Sequence, residues 1–192
     1  MTKTENFDQV EVTSASELRN WLLLNHSQKE SIWLVTFKKE VPEKYVSVQE
    51  VLDQLLCFGW IDGIRRKLDD QRTMQLISPR KVEHWAKTYK DRYAKLEEAG
   101  HVHQSGINSV IASKKAGLWD FMNDVDALIV PTDLQIALNE NAAAKRFFDH
   151  LSPSNKRFVL RYVKLSKSDV TKQKRIIQIV TLSSQNKKIP GL

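Results

Sequence analysis

Side chains able to bind an anion cluster in the middle of the chain. An indole (Trp60) and a carboxylate (Asp62) stand two residues apart, and Arg65 and Arg80 follow with guanidinium groups. Arginine beside an indole can hold a carboxylate or phosphate through paired N–H donors and through stacking. The sequence therefore predicts a binding site for a small anionic ligand, with Trp60 and Trp85 as its walls.

A β-hairpin is the element that would bring these groups together. Apolar and polar residues alternate on both sides of a polar turn at 69–72, and Pro79 is placed to end the second strand. In such a hairpin Arg80 returns to the vicinity of Asp62. We expect the site at the open end of this hairpin.

Two other interpretations of the same residues remain open. In the first, Trp60 and Trp85 are core residues, and Asp62 forms with Arg80 an ion pair that only fixes the hairpin. In the second, the region of Asp62 and Arg80 is the active site of an enzyme acting on a small anionic substrate. For these residues the first, structural interpretation is favoured. As a function, a binding protein is favoured over an enzyme, because no catalytic motif accompanies them.

Metal and nucleophile chemistry have little support. His101 and His103 offer two imidazoles, but no cysteine or acidic residue at ligand spacing completes a shell. Cys57 falls near the C-terminal end of an apolar helical pattern, where a thiol pKa is not lowered, so a buried structural cysteine is expected. We predict no metal site, no cofactor and no catalytic residue.

Positive charge is concentrated in the C-terminal quarter. The net charge is +7, and residues 145–192 hold twelve Lys or Arg against two Asp, a balance of +10. A basic region can bind nucleic acid, although Phe158 and Tyr162 lie at core spacing and not on the basic face. Binding to nucleic acid is therefore the alternative and a solvated helical face is favoured. The candidate nucleic-acid-binding residues are Lys156, Arg157, Arg161, Lys164, Lys172 and Arg175.

Local signals define the elements of the first half. Ser14 and Ser47 each stand three residues before a glutamate, which is the capping-box pattern and predicts helices over 15–26 and from residue 48. Gly59 is placed to end the second helix in a left-handed conformation. The apolar run 31–38 predicts a central strand that is covered on both faces.

Helical spacing dominates the rest. Aromatic residues at intervals of three and four predict a helix over 82–99 that ends at Gly100, and a further helix is expected over 105–116. Four polar residues are placed to cap later helices. They are Thr132, Asn141, Ser152 and Thr171.

The order of elements predicts an α+β fold. We expect a small antiparallel sheet with flanking helices in residues 1–117 and an all-helical, basic region in residues 118–192. The helices of the second region can pack together as one unit. The single cysteine excludes an internal disulfide, no secretory signal is visible, and no apolar run approaches the roughly 20 residues of a membrane helix. A cytoplasmic protein is predicted.

Three strings lie in order at 56–63, at 77–85 and at 117–120, and Phe147-Phe148 with Leu151 to Ser154 follow them. Together they resemble a bacterial family, the YdeI/OmpD-associated or bacteriocin-protection proteins. The resemblance runs from about residue 7 to about residue 184. It implies a YjbR/CyaY-like α+β fold and a binding or stress-tolerance role linked to bacteriocins or antimicrobial peptides. The partner stays open between a small anionic ligand and a protein. It supplies no reaction, cofactor or catalytic residue.

Overall fold

A fully buried strand, β2 (Ile32–Phe37), forms the centre of the sheet in the computed structural model, which describes residues 7–189. On one side lies β1 (Gln9–Glu11), and on the other β4 (Arg72–Pro79) followed by β3 (Trp60–Lys67). The order β1-β2-β4-β3 makes β3 an edge strand. The predicted strand at 31–38 and the predicted hairpin are confirmed.

The pairing of β1 differs from the expected antiparallel sheet. β1 runs parallel to β2, because the helix α1 (Ala15–Asn25) connects them as a crossover. Ser14 caps α1 as predicted by accepting a bond from Glu17 N. The Glu17 carboxylate, however, accepts its bonds from the backbone and hydroxyl of Thr13 and not from Ser14.

The second helix, α2 (Val48–Phe58), has the ends that the sequence predicts. Ser47 and Glu50 form a complete capping box at its start. Gly59 closes it with a φ of 72°, and β3 begins at the next residue. A β-bulge between Asp62 and Arg65 then shifts the register of β3 against β4.

Two further helices complete the first compact unit, which ends at Asp120. These are α3 (Lys87–Glu98) and α4 (Gln104–Lys115). The predicted start of α3 at residue 82 is wrong. Residues 82–86 form an irregular segment, because Trp85 is buried there and its indole N–H bonds Ser113 on α4.

The second unit begins at Phe121 and is helical throughout its described part. Asn141 and Ser152 cap helices as predicted. Thr132 is not a cap, because the helix begins at Thr132 itself and Pro131 precedes it. Ser168, and not Thr171, caps the last helix by accepting a bond from the Thr171 N–H group. The helices are α5 (Asn123–Asp126), α6 (Thr132–Asn139), α7 (Ala142–Asp149), α8 (Pro153–Lys164) and α9 (Asp169–Ser184).

The α+β class is therefore confirmed, with the strands in the first unit and helices in the second. Each unit has its own hydrophobic cluster, around Leu34 and Leu55 in the first and around Leu138 and Val159 in the second. Within residues 7–189, every helix is too short or too polar to cross a membrane.

The first testable prediction concerns Gly59. A Cβ there would lie 2.9 Å from the Ser105 carbonyl oxygen, and φ is positive. At Gly100 φ is 71°, but a Cβ would meet nothing within 4 Å. Gly100→Ala should therefore lower the free energy of unfolding only by the left-handed strain of about 1–2 kcal/mol. Gly59→Ala should cost about 1–3 kcal/mol more, because α4 cannot yield without losing its packing.

Urea unfolding of both variants measures this difference. Since the backbone strain is matched, the excess cost of Gly59→Ala reports the close approach of α2 and α4. Equal costs for the two substitutions would contradict the packing described here.

Candidate functional site

The end of α2 is fixed by donors from two other segments. The last carbonyls of a helix have no partner within it. Here the carbonyls of residues 57, 58 and 59 accept bonds from His103 N–H, the Ser105 hydroxyl and Arg80 N–H respectively, each at 2.9 Å. The residue at the end of β4 is thereby tied to the point where α2 becomes β3.

The Arg80 side chain is enclosed by aromatic rings. It is only 3% exposed, and its guanidinium carbon lies 3.9 Å from the Trp85 ring centroid and 5.4 Å from that of Tyr89. Its Nη2 lies 3.4 Å from the His84 carbonyl oxygen and 3.6 Å from a Glu83 carboxylate oxygen. Both distances are long for a charged donor.

The other donors of this guanidinium are unpaired. Nε and Nη1 of Arg80 are buried and have no hydrogen-bond partner within residues 7–189. Burial lowers the pKa of Arg80, while the charges of Glu83, Tyr89 and Asp62 oppose that shift. Arginine stays protonated nevertheless, so a buried cation with two free donors calls for an acceptor.

Asp62 and Arg65 belong to one network beside this cation. The Tyr89 hydroxyl donates to Asp62 at 2.7 Å, and the Gln75 amide donates to it at 3.3 Å. Arg65 in turn donates to Gln75 at 2.6 Å. Tyr89 therefore contacts Asp62 through its hydroxyl and Arg80 through its ring. Burial, and then the bond to Asp62, raise the pKa of Tyr89 to about 12, so it is a neutral donor near pH 7.

The two tryptophans have different positions. Trp85 is fully buried and forms the wall of Arg80, with Trp119 5.1 Å from it. Trp60 lies in the main core, where it packs edge-on against Trp21 and donates to the His26 carbonyl at 3.2 Å.

Sequence reasoning missed three participants, Glu83, Tyr89 and Gln75. Tyr89 is recognisable only as one of several aromatic residues at helical spacing, and Gln75 is a polar position in an alternating strand. Their roles depend on which side chains the fold places opposite Asp62 and Arg80. No local signal distinguishes them in the sequence.

A known family model matches most of the first unit. Residues 10–109, more than half of the 192-residue chain, match a family model described as a domain of unknown function (DUF8412). The chain belongs to the DUF8412 family. Arg80, Trp85 and Tyr89 all lie in the region that this family defines.

A second family model matches the second unit. Residues 127–186 match the model described as Bacteriocin-protection, YdeI or OmpD-Associated, which confirms the resemblance for that region. The strings at 56–63 and 77–85 fall in the DUF8412 region instead. Comparison with curated proteins and with solved structures found no significant match.

The six cations predicted to bind nucleic acid lie in the YdeI/OmpD-associated region, and each of them interacts with another group of the protein. Lys164 pairs with Asp124 and Lys172 with Asp133. Lys156 and Arg157 donate to backbone carbonyls, and Arg175 donates to a carbonyl and stacks on the ring of the same residue, Tyr162. Arg161 also interacts within the protein. These contacts favour a structural role, and nucleic-acid binding stays a prediction.

Cys57, His26 and His103 lie together at the end of α2, where both imidazole rings stack against Phe58. Cys57 is buried, and burial raises the pKa of its thiol. His103 Nδ1 accepts a bond from Ser105 N–H and so caps α4, and its ring lies 4.7 Å from that of His26. Within the described residues, no three His, Cys, Asp or Glu side chains are grouped to hold a metal ion.

The pH dependence of stability is the second testable prediction. Burial, with the charges of His26 and Arg19, lowers the pKa of His103. The unfolded chain therefore takes up this proton at a higher pH than the folded chain, and the free energy of unfolding should fall as the pH drops below about 6.5.

His103→Asn is the matched control, since asparagine caps a helix equally well and does not titrate. Chemical unfolding between about pH 5 and 8 should show a steeper loss for the wild type than for the variant. Parallel profiles for the two proteins would show that His103 is not the responsible group.

Proposed function

We propose that this protein binds a small anion, a carboxylate or a phosphate group, at Arg80, and that this binding serves a role of the YdeI/OmpD-associated type. The observation that carries the proposal is the buried Arg80 guanidinium with Nε and Nη1 unpaired. A buried donor without an acceptor costs about 1–3 kcal/mol, and more when the group is charged. A bound anion would recover that free energy.

Glu83 is the weak partner that an incoming anion would have to displace. A guanidinium offers two pairs of parallel donors, Nε with Nη2 and Nη1 with Nη2, and Nη2 belongs to both. Glu83 approaches Nη2 only to 3.6 Å, and its side chain is 39% exposed. An incoming anion can displace this weak partner and bond Arg80 in the bidentate manner that arginine favours.

The surrounding residues suit such an exchange. Glu83 lies in the irregular segment between β4 and α3, so it can move without breaking a helix or strand. Trp85 holds the guanidinium plane from one face, which limits the entropy lost when an anion binds. Asp62 is already occupied by Tyr89 and Gln75, so it does not compete as a direct partner.

Binding to a panel of carboxylates, phosphate and nucleotides is the third testable prediction. At least one anion should raise the Tm of the wild-type protein, and Arg80→Met should abolish the shift. The variant should be no less stable than the wild type without ligand, because an apolar chain of similar length removes the unpaired buried charge. Glu83→Gln should tighten binding about fivefold, since an exposed ion pair contributes up to about 1 kcal/mol.

Arg66→Met is the matched control. Arg66 also stacks on an indole, that of Trp33, with its guanidinium carbon 5.3 Å from the ring centroid, but it is exposed. Its replacement should leave the anion response unchanged. The proposal fails if no anion raises the Tm of the wild-type protein, a result that would leave an ordered water as the acceptor. It also fails if the Tm of Arg80→Met responds to anions as that of the wild type does.

The family description supports the biological part of the proposal. The matched model is named for bacteriocin protection, so we propose that the protein contributes to tolerance of bacteriocins or cationic antimicrobial peptides. The free, buried Cys57 fits a reducing compartment, and we place this role in the cytoplasm.

A strain without the protein should be killed at lower peptide concentrations. The wild-type chain should restore tolerance and Arg80→Met should not. Unchanged killing of the deleted strain would reject this role.

A further inference from the structure

A surface cavity in the YdeI/OmpD-associated region is lined by a residue with an unpaired polar group. Ser183 is 2% exposed, and its hydroxyl is buried without a hydrogen-bond partner within residues 7–189. It faces a cavity of about 320 Å³ between α7 and the end of α9. The other lining residues are Ala143, Arg146, Phe147, His150, Ser184 and Asn186.

We propose that this cavity binds a small organic acid, whose carboxylate meets Arg146 and Ser183 and whose apolar part lies on Phe147. The site is separate from Arg80, which lies in the other unit, and does not rest on the function proposed there. Its volume is at the lower end of the range of small-molecule pockets.

Two side chains at the end of α7 can meet an anion in the cavity. Arg146 lies in the last turn of α7 and is exposed, and within residues 7–189 it forms no ion pair with an acidic side chain. The His150 Nδ1 lies 2.7 Å from the Arg146 carbonyl oxygen, which can only accept, so Nδ1 carries the proton.

A helix C-terminus carries partial negative charge, and at the end of α9 this charge is reduced because the last carbonyls are bonded to N–H groups. The carbonyls of residues 181, 182 and 183 accept bonds from the N–H groups of Gln185, Lys187 and Asn186 respectively. Asn186 adopts a left-handed conformation with φ of 53° to close the helix in this way. Asn186 therefore lines the cavity, and its side-chain amide is a neutral donor there.

The mixed lining of the cavity selects the ligand. It combines the apolar side chains of Phe147 and Ala143 with the polar ones of Arg146, Ser183 and Asn186. A free inorganic anion would leave the apolar residues without a contact. A carboxylate attached to an aromatic or short aliphatic group can contact both kinds of residue.

Benzoate is the probe that tests this inference, the fifth testable prediction, with acetate and phosphate as comparisons. In a ¹H–¹⁵N NMR titration of the full chain, benzoate should shift the amide signals of residues 183–186 to saturation. Acetate and phosphate should bind at least about tenfold more weakly, since each loses the apolar contact. Arg80→Met should bind benzoate as the wild type does, which separates this site from the one in the first unit.

Ser183→Ala, Arg146→Gln and Lys174→Gln are the variants. Each of the first two should weaken benzoate binding by about tenfold, the effect of losing one hydrogen bond to a charged group. Ser183→Ala should not lower the Tm, because the hydroxyl has no internal partner to lose. Lys174→Gln removes an exposed charge on α9 away from the cavity and should have no effect.

Three results would overturn the inference. The first is the absence of saturable benzoate shifts at residues 183–186. The second is unchanged binding by Ser183→Ala or Arg146→Gln. The third is binding of phosphate or acetate as tight as that of benzoate, which would reject an organic acid as the ligand.

Discussion

The first unit depends on how the C-terminal end of α2 is satisfied. Three successive carbonyls there would be unpaired if α2 ended alone, two of them on the buried residues Cys57 and Phe58. His103 and Ser105 at the start of α4, and the backbone N–H of Arg80 at the end of β4, supply the missing donors. Gly59 makes this possible, because its left-handed conformation turns the chain and its missing Cβ admits α4. One joint therefore fixes α2, α4 and the hairpin.

This joint also determines where the charge of Arg80 lies. Its backbone bond to Gly59 holds the residue at the end of β4, and its side chain then extends under Trp85. Stacking on an indole repays part of the cost of burying a cation, by about 2 kcal/mol when water is excluded. It cannot satisfy N–H donors that lie in the guanidinium plane. The fold thus keeps Arg80 oriented but incompletely paired, which is a suitable starting state for binding an anion.

The sequence predicts elements whose signals are local. The capping box at Ser47, the left-handed end at Gly59 and the apolar run of β2 each follow from a few neighbouring residues, and each is confirmed. Where two local signals compete, the prediction fails. Thr171 was expected to cap α9, but Ser168 takes that place and Thr171 donates to it.

Features set by tertiary contacts could not be predicted in this way. Helical periodicity over 82–99 includes Trp85, yet the bond of its indole to Ser113 keeps the segment before Lys87 out of the helix. Trp60 and Trp85 have the same chemistry in the sequence, and only the packing sends one to the core and the other to Arg80. The hydroxyl of Ser183 gives no signal at all until α7 and α9 enclose it.

The NMR signal of the Arg80 Nε–H group tests the central claim most directly, because it reports on one of the two unpaired donors itself. As the anion that raises the Tm most is titrated into the protein, this signal should move downfield and its hydrogen exchange should slow, with saturation at the same concentration as the rise in Tm. An Nε–H signal that keeps its position and exchange rate while the anion binds would show that Arg80 is not the receiving group.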